Sequence, residues 1–509
     1  MKPIFTLRAA DIQLYRACDD LSGAVILFML LFSPWALGTT ENWAIWCMNY
    51  AGYTLGVLLL VKLFIRHAKG YPAPRWDNYS TRTGAFTRHP HSLIRLLTRT
   101  LGMLTVVVLA EILISALNAG AHYDWDNRLF TYKPHLSWLP YSLDEHRTWF
   151  HFWMYLGMAA SFWSVADWLL GTTLAEERRA QVADNPEKTV PLLPARLRVL
   201  LWMLCINGAI LGIEGIVQRA SGTDKLLFLV PSTSMPWAGC QFGPYAYRSN
   251  AAQYFNMLWP VCLGFWCTLQ RTGGLHGKTQ HWLLLCATIM AACPIISTSR
   301  AGALTAVSIL IMALIYLAGA SLSDWSGRSG TGAVRWGTAG LLILFLTATL
   351  SLGWFFGWSS LAPRLDELGA GYQGREETYA AAAPMAHDYP VFGIGAGAFP
   401  TVFQLYQLSG ATYTPRLLHN DWLQTRITFG WVGFILLLAA LACIGLRWFV
   451  PGGIRGSRRF VVLAWLGLTS ALVQARFDFP FSIHSTLFLF LVICAMLFGL
   501  SRNPGSSHR

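Results

Sequence analysis

Residues 416–445 read RLLHNDWLQTRITFGWVGFILLLAALACIG, a polar cluster that runs directly into a long apolar stretch. An apolar run of about 20 residues crosses the hydrocarbon core of a bilayer as one helix. The cluster ahead of it, with His419, Asn420 and Asp421 followed by Gln424 at helical spacing, therefore lies at the edge of the membrane. This stretch predicts a membrane helix that carries reactive side chains at its entrance.

The composition extends this interpretation to the whole chain. The 509 residues are 54% hydrophobic and 12% charged, with a mean hydropathy of +0.43, whereas soluble domains carry about 25% charged residues. The first apolar run, residues 21–37, is too long and too poorly flanked for a cleaved signal peptide. The ten cysteines are scattered without a CxxC pair, so neither disulfides nor structural zinc is predicted. The sequence predicts an all-α polytopic membrane protein.

Hydropathy predicts about twelve membrane helices. Their expected spans are 21–38, 44–61, 101–117, 150–170, 199–218, 251–269, 281–297, 301–319, 337–357, 427–446, 460–475 and 483–500.

The basic residues predict the orientation. With the N-terminus inside, the inner segments hold 26 Lys and Arg residues and the outer ones 12, which follows the positive-inside rule. Both termini, and the loops 62–100 and 171–198, are then cytoplasmic. The net charge of +13 is explained by this bias, and no soluble basic domain is left that would bind nucleic acid.

The longest non-membrane segment, residues 358–426, is predicted to lie outside. It is expected to contain a helix from Glu376 to His387 and a turn at residues 388–390. Its GIGAGAF run, residues 393–399, resembles a phosphate-binding glycine motif but follows no predicted strand. A close backbone approach or a flexible lid is the better interpretation.

Polar residues from separate segments collect at the same predicted outer face: Arg248, Asn250, Arg300, Arg375, His419 and Asp478. Guanidinium groups bind phosphates with two parallel hydrogen bonds, and histidine titrates near neutral pH, which suits a general base. Structural roles are open alternatives: Arg300 could reach the interface or pair with Asp478, and Arg375 could be a solvated charge at a helix start. His387 and His484 are competing candidates for the base.

Four stretches carry a resemblance to a known family. YRSNAAQYFNMLWPVCLGF (247–265) resembles an Arg/Asn entry into a membrane helix, and ISTSRAGAL (296–304) resembles a Ser-x-Ser-Arg-Gly turn. GREETYAAAAPMAHDYPVFGIGAGAF (374–399) and HNDWLQTRITFGWVGFILLL (419–438) resemble a Gly-rich loop and a His-Asn-x-x-Leu-Gln segment. In this order they resemble the O-antigen ligase / polysaccharide polymerase family of bacterial inner-membrane proteins, over roughly residues 240–450.

The resemblance implies a largely helical fold similar to C-type glycosyltransferases, with a periplasmic active site. It implies transfer of a glycan from undecaprenyl diphosphate to an acceptor glycan or lipid A core. On matching positions, Arg300 and Arg375 would bind the diphosphate and His419 would act as the base, while the match at Asp478 is looser. The sequence departs from the family pattern at Ala301, where glycine is usual, and at Thr378–Tyr379, where tryptophan is common.

We therefore predict a metal-independent, inverting glycosyltransferase of the bacterial inner membrane, without a cofactor. Its diphosphate would be held by Arg300, Arg375 and Arg248, with His419 as the base and Asp478 or Asp421 as the orienting acid. Substrate contacts are predicted for Asn250, Asn420 and Gln424. The expected units are an N-terminal membrane region (1–240), the ligase/polymerase-like core (241–450) and C-terminal helices (451–509).

Two other functions stay open at this stage. A transporter or flippase for a polar lipid or glycan would place its polar groups near the bilayer midplane, whereas here they gather at one face. Glu111, Glu214 and Asp167 are the exceptions within predicted spans. A structural scaffold of a polysaccharide assembly complex is the third possibility.

Overall fold

The fold of the chain is known from a computed structural model. It describes residues 5–76, 92–182, 193–231, 240–271, 280–327, 332–407, 415–449 and 458–501. Parts of the predicted loops 62–100, 171–198 and 358–426 lie outside these ranges, as do the chain ends.

Helices make up nearly all of the described structure. They are α1 Ala9–Trp35, α2 Asn42–His67, α3 Ser92–Leu117, α4 Glu145–Leu169, α5 Leu174–Val182, α6 Ala195–Ser221, α7 Arg248–Arg271, α8 His281–Ile296, α9 Arg300–Gly327, α10 Gly332–Gly353, α11 Ser359–Asp366, α12 Leu368–Asp388, α13 Phe399–Phe403, α14 Asp421–Leu446, α15 Arg458–Gln474 and α16 His484–Leu500. A π-helical turn, Trp354–Trp358, joins α10 to α11.

Two short antiparallel hairpins complete the described elements. The first pairs β1 (Ala121–Asp124) with β2 (Leu129–Tyr132), with Ala121 opposite Tyr132. The second pairs β3 (Lys225–Leu226) with β4 (Val230–Pro231). Both hairpins connect helices at the ends of the bundle. The other described elements are helices, so the prediction of an all-α polytopic membrane protein is confirmed.

Each of the twelve predicted spans overlaps a helix of the structure. In the described chain, seven helical segments are long and apolar enough to cross a membrane: Ala9–Trp35, Asn42–His67, Ser92–Leu117, Ala195–Ser221, Arg300–Ser321, Gly337–Asp366 and Asp421–Phe449. The shorter helices α8 and α16 are also apolar. The number of helices that cross the bilayer stays a prediction.

The first predicted span started too late. Helix α1 begins at Ala9 rather than at residue 21, because Asp11 and Asp19 in its first half pair with lysines in α2 and just after it. Asp11 contacts Lys69 at 2.5 Å, and Asp19 contacts the fully buried Lys62 at 3.1 Å. A paired carboxylate can be placed within a buried helix at much lower cost than a lone one.

Charged side chains connect four helices at one end of the bundle. Lys62 of α2 also contacts Asp167 of α4 at 2.9 Å, and Arg196 of α6 contacts Asp19 of α1 at 2.5 Å. Asp167, which the sequence left unexplained within a span, therefore has a structural role.

The opposite end of α4 faces a different layer. There Thr148 donates a hydrogen bond to the carbonyl of Ala396 at 2.9 Å, and Thr401 donates one to Asp144 at 2.6 Å. Helix α4 thus runs from the segment around Ala396 and Thr401, at its N-terminal end, to the charged cluster at its C-terminal end. The predicted reactive residues belong to the former end, far from the charged cluster.

The predicted loop 358–426 is largely helical where the structure describes it. Helix α12 ends at Asp388, as the predicted turn at 388–390 requires, but it begins at Leu368 instead of Glu376. The part of the helix that the sequence did not predict begins with the glycine-rich residues Leu368-Gly-Ala-Gly. Glycine has a low helix propensity, so propensity alone argued against a helix there.

The GIGAGAF run packs against an interruption in α14. Gly430 has φ 62° and ψ −163°, which breaks the helix. The freed carbonyls of Ile427 and Thr428 accept hydrogen bonds from the backbone N–H groups of Ile394 and Gly395, both at 3.1 Å. The predicted close backbone approach is confirmed, and it positions the start of α14.

We expect Gly430→Ala to lower the free energy of unfolding by about 2 kcal/mol, since only glycine adopts this conformation without strain. A Cβ atom at this position would lie 2.1 Å from the carbonyl oxygen of Val391. The measurement is the midpoint of heat-induced aggregation in detergent. Gly374→Ala is the control because a Cβ atom there meets nothing within 4 Å; equal midpoints for both variants would contradict the prediction.

Candidate functional site

The predicted base and acid are in direct contact. Nδ1 of His419 lies 3.1 Å from Oδ1 of Asp478, although the two residues are 59 positions apart in the chain. The Asp478 side chain is 2% exposed and the His419 side chain 30%. A buried carboxylate at Nδ1 fixes the imidazole ring and leaves Nε2 for a second partner.

Backbone geometry and aromatic rings hold His419 in place. The residue adopts φ 56°, and the next residue, Asn420, caps α14 by accepting a hydrogen bond from the Leu423 N–H at 3.2 Å. The hydroxyl of Tyr379 donates to the carbonyl of His419 at 2.6 Å. Tyr379 stands at the departure from the family pattern, and in this chain it supports the candidate base.

Asp421 does not orient His419. Its two carboxylate oxygens accept hydrogen bonds from the N–H of Phe481 at 2.6 Å and from the hydroxyl of Ser482 at 2.8 Å. Asp421 therefore fastens α14 to the turn ahead of α16. Of the two predicted orienting acids, Asp478 is the one that contacts His419.

Four arginines line one cavity of about 590 Å³, which we call the site cavity: Arg248, Arg300, Arg364 and Arg375, with Tyr247 and Asp478. They come from the start of α7, the start of α9, α11 and α12. The structure thus brings the three predicted arginines together with Asp478. It adds Arg364, which the sequence counted as an outer basic residue without singling it out.

The guanidinium groups bind carbonyl or hydroxyl oxygens within the protein. Arg300 donates to the carbonyl of Glu367 at 2.9 Å, Arg375 to the carbonyl of Phe477, and Arg248 to the hydroxyl of Thr298 at 3.3 Å. Among the described residues, no carboxylate forms an ion pair with Arg300, Arg364 or Arg375. The alternative in which Arg300 pairs with Asp478 is wrong, because Asp478 pairs with His419.

Positive charge therefore predominates in the site cavity. Arg300, Arg364 and Arg375, which form no ion pair with a carboxylate of the described chain, favour a bound anion, most strongly one that accepts bidentate hydrogen bonds. Tyr247 adds a neutral donor: burial raises the pKa of its hydroxyl to about 12. That hydroxyl consequently keeps its proton at neutral pH.

Below the arginines the site cavity has an apolar wall. It continues along α9 past Leu304, Ile309 and Met312, and along α15 past Leu466 and Val473. Leu304 is 51% exposed and Val473 49%, so this wall reaches the outer surface of the bundle. A ligand with an anionic head and a hydrocarbon chain matches both parts of the cavity.

The predicted substrate-binding amides do not line the site cavity. Asn420 caps α14, and Gln424 accepts a hydrogen bond from the Leu418 N–H at 2.8 Å, so both organise the segment around His419. Asn250 is 3% exposed and lies in the first turn of α7. These positions support structural roles for Asn420 and Gln424, and substrate contact by the three amides is a prediction that the geometry does not favour.

The two competing histidines lie elsewhere. The side chain of His387 is 93% exposed and faces its neighbour Asp388. His484 is 4% exposed at the start of α16. No described histidine lines the site cavity directly. His419 lies behind two residues that do: it contacts Asp478, and its ring centroid is 6.0 Å from that of Tyr247.

Comparison with known proteins gives one family match. Residues 285–438 match the family model described as O-antigen ligase. This match, over 285–438, supports the O-antigen ligase/polymerase family for the chain. The match supports a function of the O-antigen ligase/polymerase type in surface polysaccharide assembly, and glycosyltransferase-like activity with it. A search among curated proteins gave no match.

The O-antigen ligase match covers part of the candidate site. It includes Arg300, Arg364, Arg375 and His419, whereas Arg248 precedes it and Asp478 follows it. The family implies a lipid-linked glycan and an acceptor as substrates. The pairing of His419 with Asp478 thus joins a matched residue to one from outside the matched range.

Proposed function

We propose that this chain transfers a glycan from undecaprenyl diphosphate to an acceptor sugar hydroxyl, at the periplasmic face of the bacterial inner membrane. One observation carries the proposal: Arg300, Arg364 and Arg375, which form no ion pair with a carboxylate of the described residues, line a cavity together with Asp478, and Asp478 contacts His419. An anion site beside a positioned base is what displacement of a diphosphate leaving group requires.

The donor would occupy the site cavity as a whole. Its diphosphate would bind the arginines and the Tyr247 hydroxyl, and its prenyl chain would follow the apolar wall between α9 and α15. Because Leu304 and Val473 are half exposed, the chain would enter sideways from the bilayer. This arrangement leaves the sugar next to His419.

The reaction would be a single displacement. Nε2 of His419 takes the proton of the acceptor hydroxyl. At the same time the oxygen of that hydroxyl forms a bond to the anomeric carbon of the donor sugar. The bond from that carbon to the diphosphate oxygen breaks, and the electron pair departs with the diphosphate. Asp478 stabilises the imidazolium, the arginines stabilise the departing charge, and attack from the opposite face inverts the anomeric centre.

In this scheme the guanidinium groups supply the positive charge that neutralises the leaving group, and the step is metal-independent. Ligase and polymerase activity share this chemistry and differ in the acceptor, lipid A core or a second lipid-linked repeat. The excess of basic residues in the predicted inner segments supports a cytoplasmic location for both termini and a periplasmic one for His419.

The test is surface polysaccharide, resolved on a gel, from a deletion strain complemented with the wild type or with His419→Ala, Arg300→Ala or Arg375→Ala at matched protein levels. We expect the three variants to insert normally and to fail to restore the polysaccharide. The intermediate that accumulates would separate ligase from polymerase. Restoration by all three variants would reject the catalytic assignment and favour transport of a polar lipid or glycan.

A further inference from the structure

The imidazole ring of His419 is held by hydrogen bonding at one atom. In the described structure, its ring hydrogen bond joins Nδ1 to Oδ1 of Asp478 at 3.1 Å. A single hydrogen bond leaves the ring free to rotate about that bond, and the terminal torsion of a histidine side chain has broad minima. Because 30% of the side chain is exposed, packing from all sides does not fix the ring either. The direction of Nε2, the atom that would take the proton, therefore depends on a second contact.

The ring of Phe479 provides this second contact. Its centroid lies 4.7 Å from that of the His419 ring, at an interplanar angle of 64°. Tilted and edge-to-face contacts at this distance are favourable and have a preferred orientation, so the phenyl ring sets the plane of the imidazole. Phe479 is itself 7% exposed, which leaves its ring little room to move.

The backbone around Phe479 is also fixed relative to the candidate base. The N–H of Phe479 donates to Oδ1 of Asp478 at 3.2 Å, and this is the oxygen that lies next to Nδ1 of His419. The carbonyl of Asp478 accepts a hydrogen bond from the N–H of Asp421 at 3.2 Å. Since Asp421 follows His419 by two residues, residues 478 and 479 keep a defined position beside the base.

Phe479 also packs against a wall residue of the site cavity. Its ring is stacked with that of Tyr247, with the centroids 5.5 Å apart and an interplanar angle of 18°. Tyr247 lines the site cavity, whereas Phe479 does not. Phe479 therefore contacts both the cavity wall and the base, and it sets their relative positions without touching a ligand in the cavity.

We propose that Phe479 is a positioning residue that directs Nε2 of His419 towards the acceptor hydroxyl. The proposal rests on the proposed glycan transfer and deepens it. Asp478 fixes Nδ1 and Phe479 fixes the plane of the ring, so the two together define the direction of Nε2. A reacting group that is displaced by about 1 Å can lose about 100-fold in rate, and the packing of this phenyl ring thus affects turnover through His419.

The test measures turnover and donor binding separately. It uses the purified full chain, the undecaprenyl-diphosphate-linked glycan of its host, and the host's lipid A core or a second lipid-linked repeat as acceptor. We expect Phe479→Leu to lower kcat about 10- to 100-fold, because leucine fills part of the space without a flat ring. The dissociation constant of the donor, measured without acceptor, is expected to stay near wild type because the arginines are unchanged. Phe479→Tyr keeps the ring and is expected to retain most of the turnover.

Phe403→Leu is the matched control. Phe403 is 2% exposed and stacks on Phe399 with the centroids 5.2 Å apart, so its replacement removes a comparable aromatic contact. It does not line the site cavity, and we expect wild-type kcat. Equal losses in Phe403→Leu and Phe479→Leu would overturn the proposal, as would wild-type kcat in a folded Phe479→Leu protein. If Phe479→Leu does not fold, Phe479→Met replaces it, since methionine fills irregular space.

A double-mutant cycle tests whether Phe479 acts through the base. In the His419→Ala background, Phe479→Leu is expected to cause no further loss of kcat, because no imidazole is left to position. A further loss as large as the one in the wild-type background would show an effect independent of His419 and would overturn the proposal. Absence of transfer by the wild-type protein would instead reject the proposed function itself.

Discussion

Arg300→Ala is expected to lower the turnover of glycan transfer about 100- to 1,000-fold, the effect of removing one donor from a preorganised anion site. Arg300 opens α9 at the site cavity, where its described hydrogen bonds go to the carbonyls of Glu367 and Arg364. Carbonyl partners orient the guanidinium without neutralising it, so its charge is available to the departing diphosphate. Arg300→Lys is expected to recover part of the rate, since lysine supplies a point charge without the bidentate fork. The measurement is the initial rate with purified protein and the lipid-linked donor.

Arg476→Ala is the control for that experiment. Arg476 lies two residues before Asp478, is exposed, and packs 5.7 Å from the ring centroid of Tyr379, yet it does not line the site cavity. Its removal subtracts the same charge from the same end of the molecule. Equal losses in Arg300→Ala and Arg476→Ala would mean that overall charge, rather than the site cavity, governs the rate.

His419→Ala is expected to lower turnover about 100- to 10,000-fold, the range for loss of a general base, while donor binding stays near wild type. The reason is that the imidazole acts on the acceptor hydroxyl, whereas the diphosphate is held by the arginines. Asp478→Asn is expected to lose less activity than His419→Ala, because an amide can still hydrogen-bond the ring but no longer stabilises the imidazolium. Turnover and donor affinity are measured separately in each variant.

His387→Ala is the matched control, since this side chain is 93% exposed and its loss is expected to leave turnover unchanged. A His419→Ala protein with wild-type turnover would remove this residue from the chemistry. One that is folded but fails to bind the donor would assign His419 to the diphosphate site instead.

Much of the site followed from the sequence because the signals are local. An arginine at the entrance of an apolar helix is visible without knowledge of its neighbours, and so is a histidine ahead of one. Arg248, Arg300 and His419 were selected on that ground, whereas Arg375 was selected within the long outer segment and Asp478 in a tight outer turn. Arg364 was missed because it lies in α11, within a segment where an arginine has an ordinary solvated role.

The choice between acids could not be made from spacing. Asp421 is two residues from His419 and Asp478 is 59 residues away, which favours Asp421 on proximity along the chain. Folding reverses this preference because α14 directs the Asp421 carboxylate towards Phe481 and Ser482. The turn after α15 brings Asp478 to His419 instead.

The sequence by itself determined the class of the molecule, the approximate positions of its helices and the motifs of its family, since apolar length and local motifs are properties of contiguous residues. Tertiary structure alone decided which side chains meet. Convergence of α7, α9, α11 and α12 on the site cavity depends on helix packing between residues far apart in the chain. Packing of that kind is set by the shapes of whole helix surfaces, and no short stretch of sequence contains it.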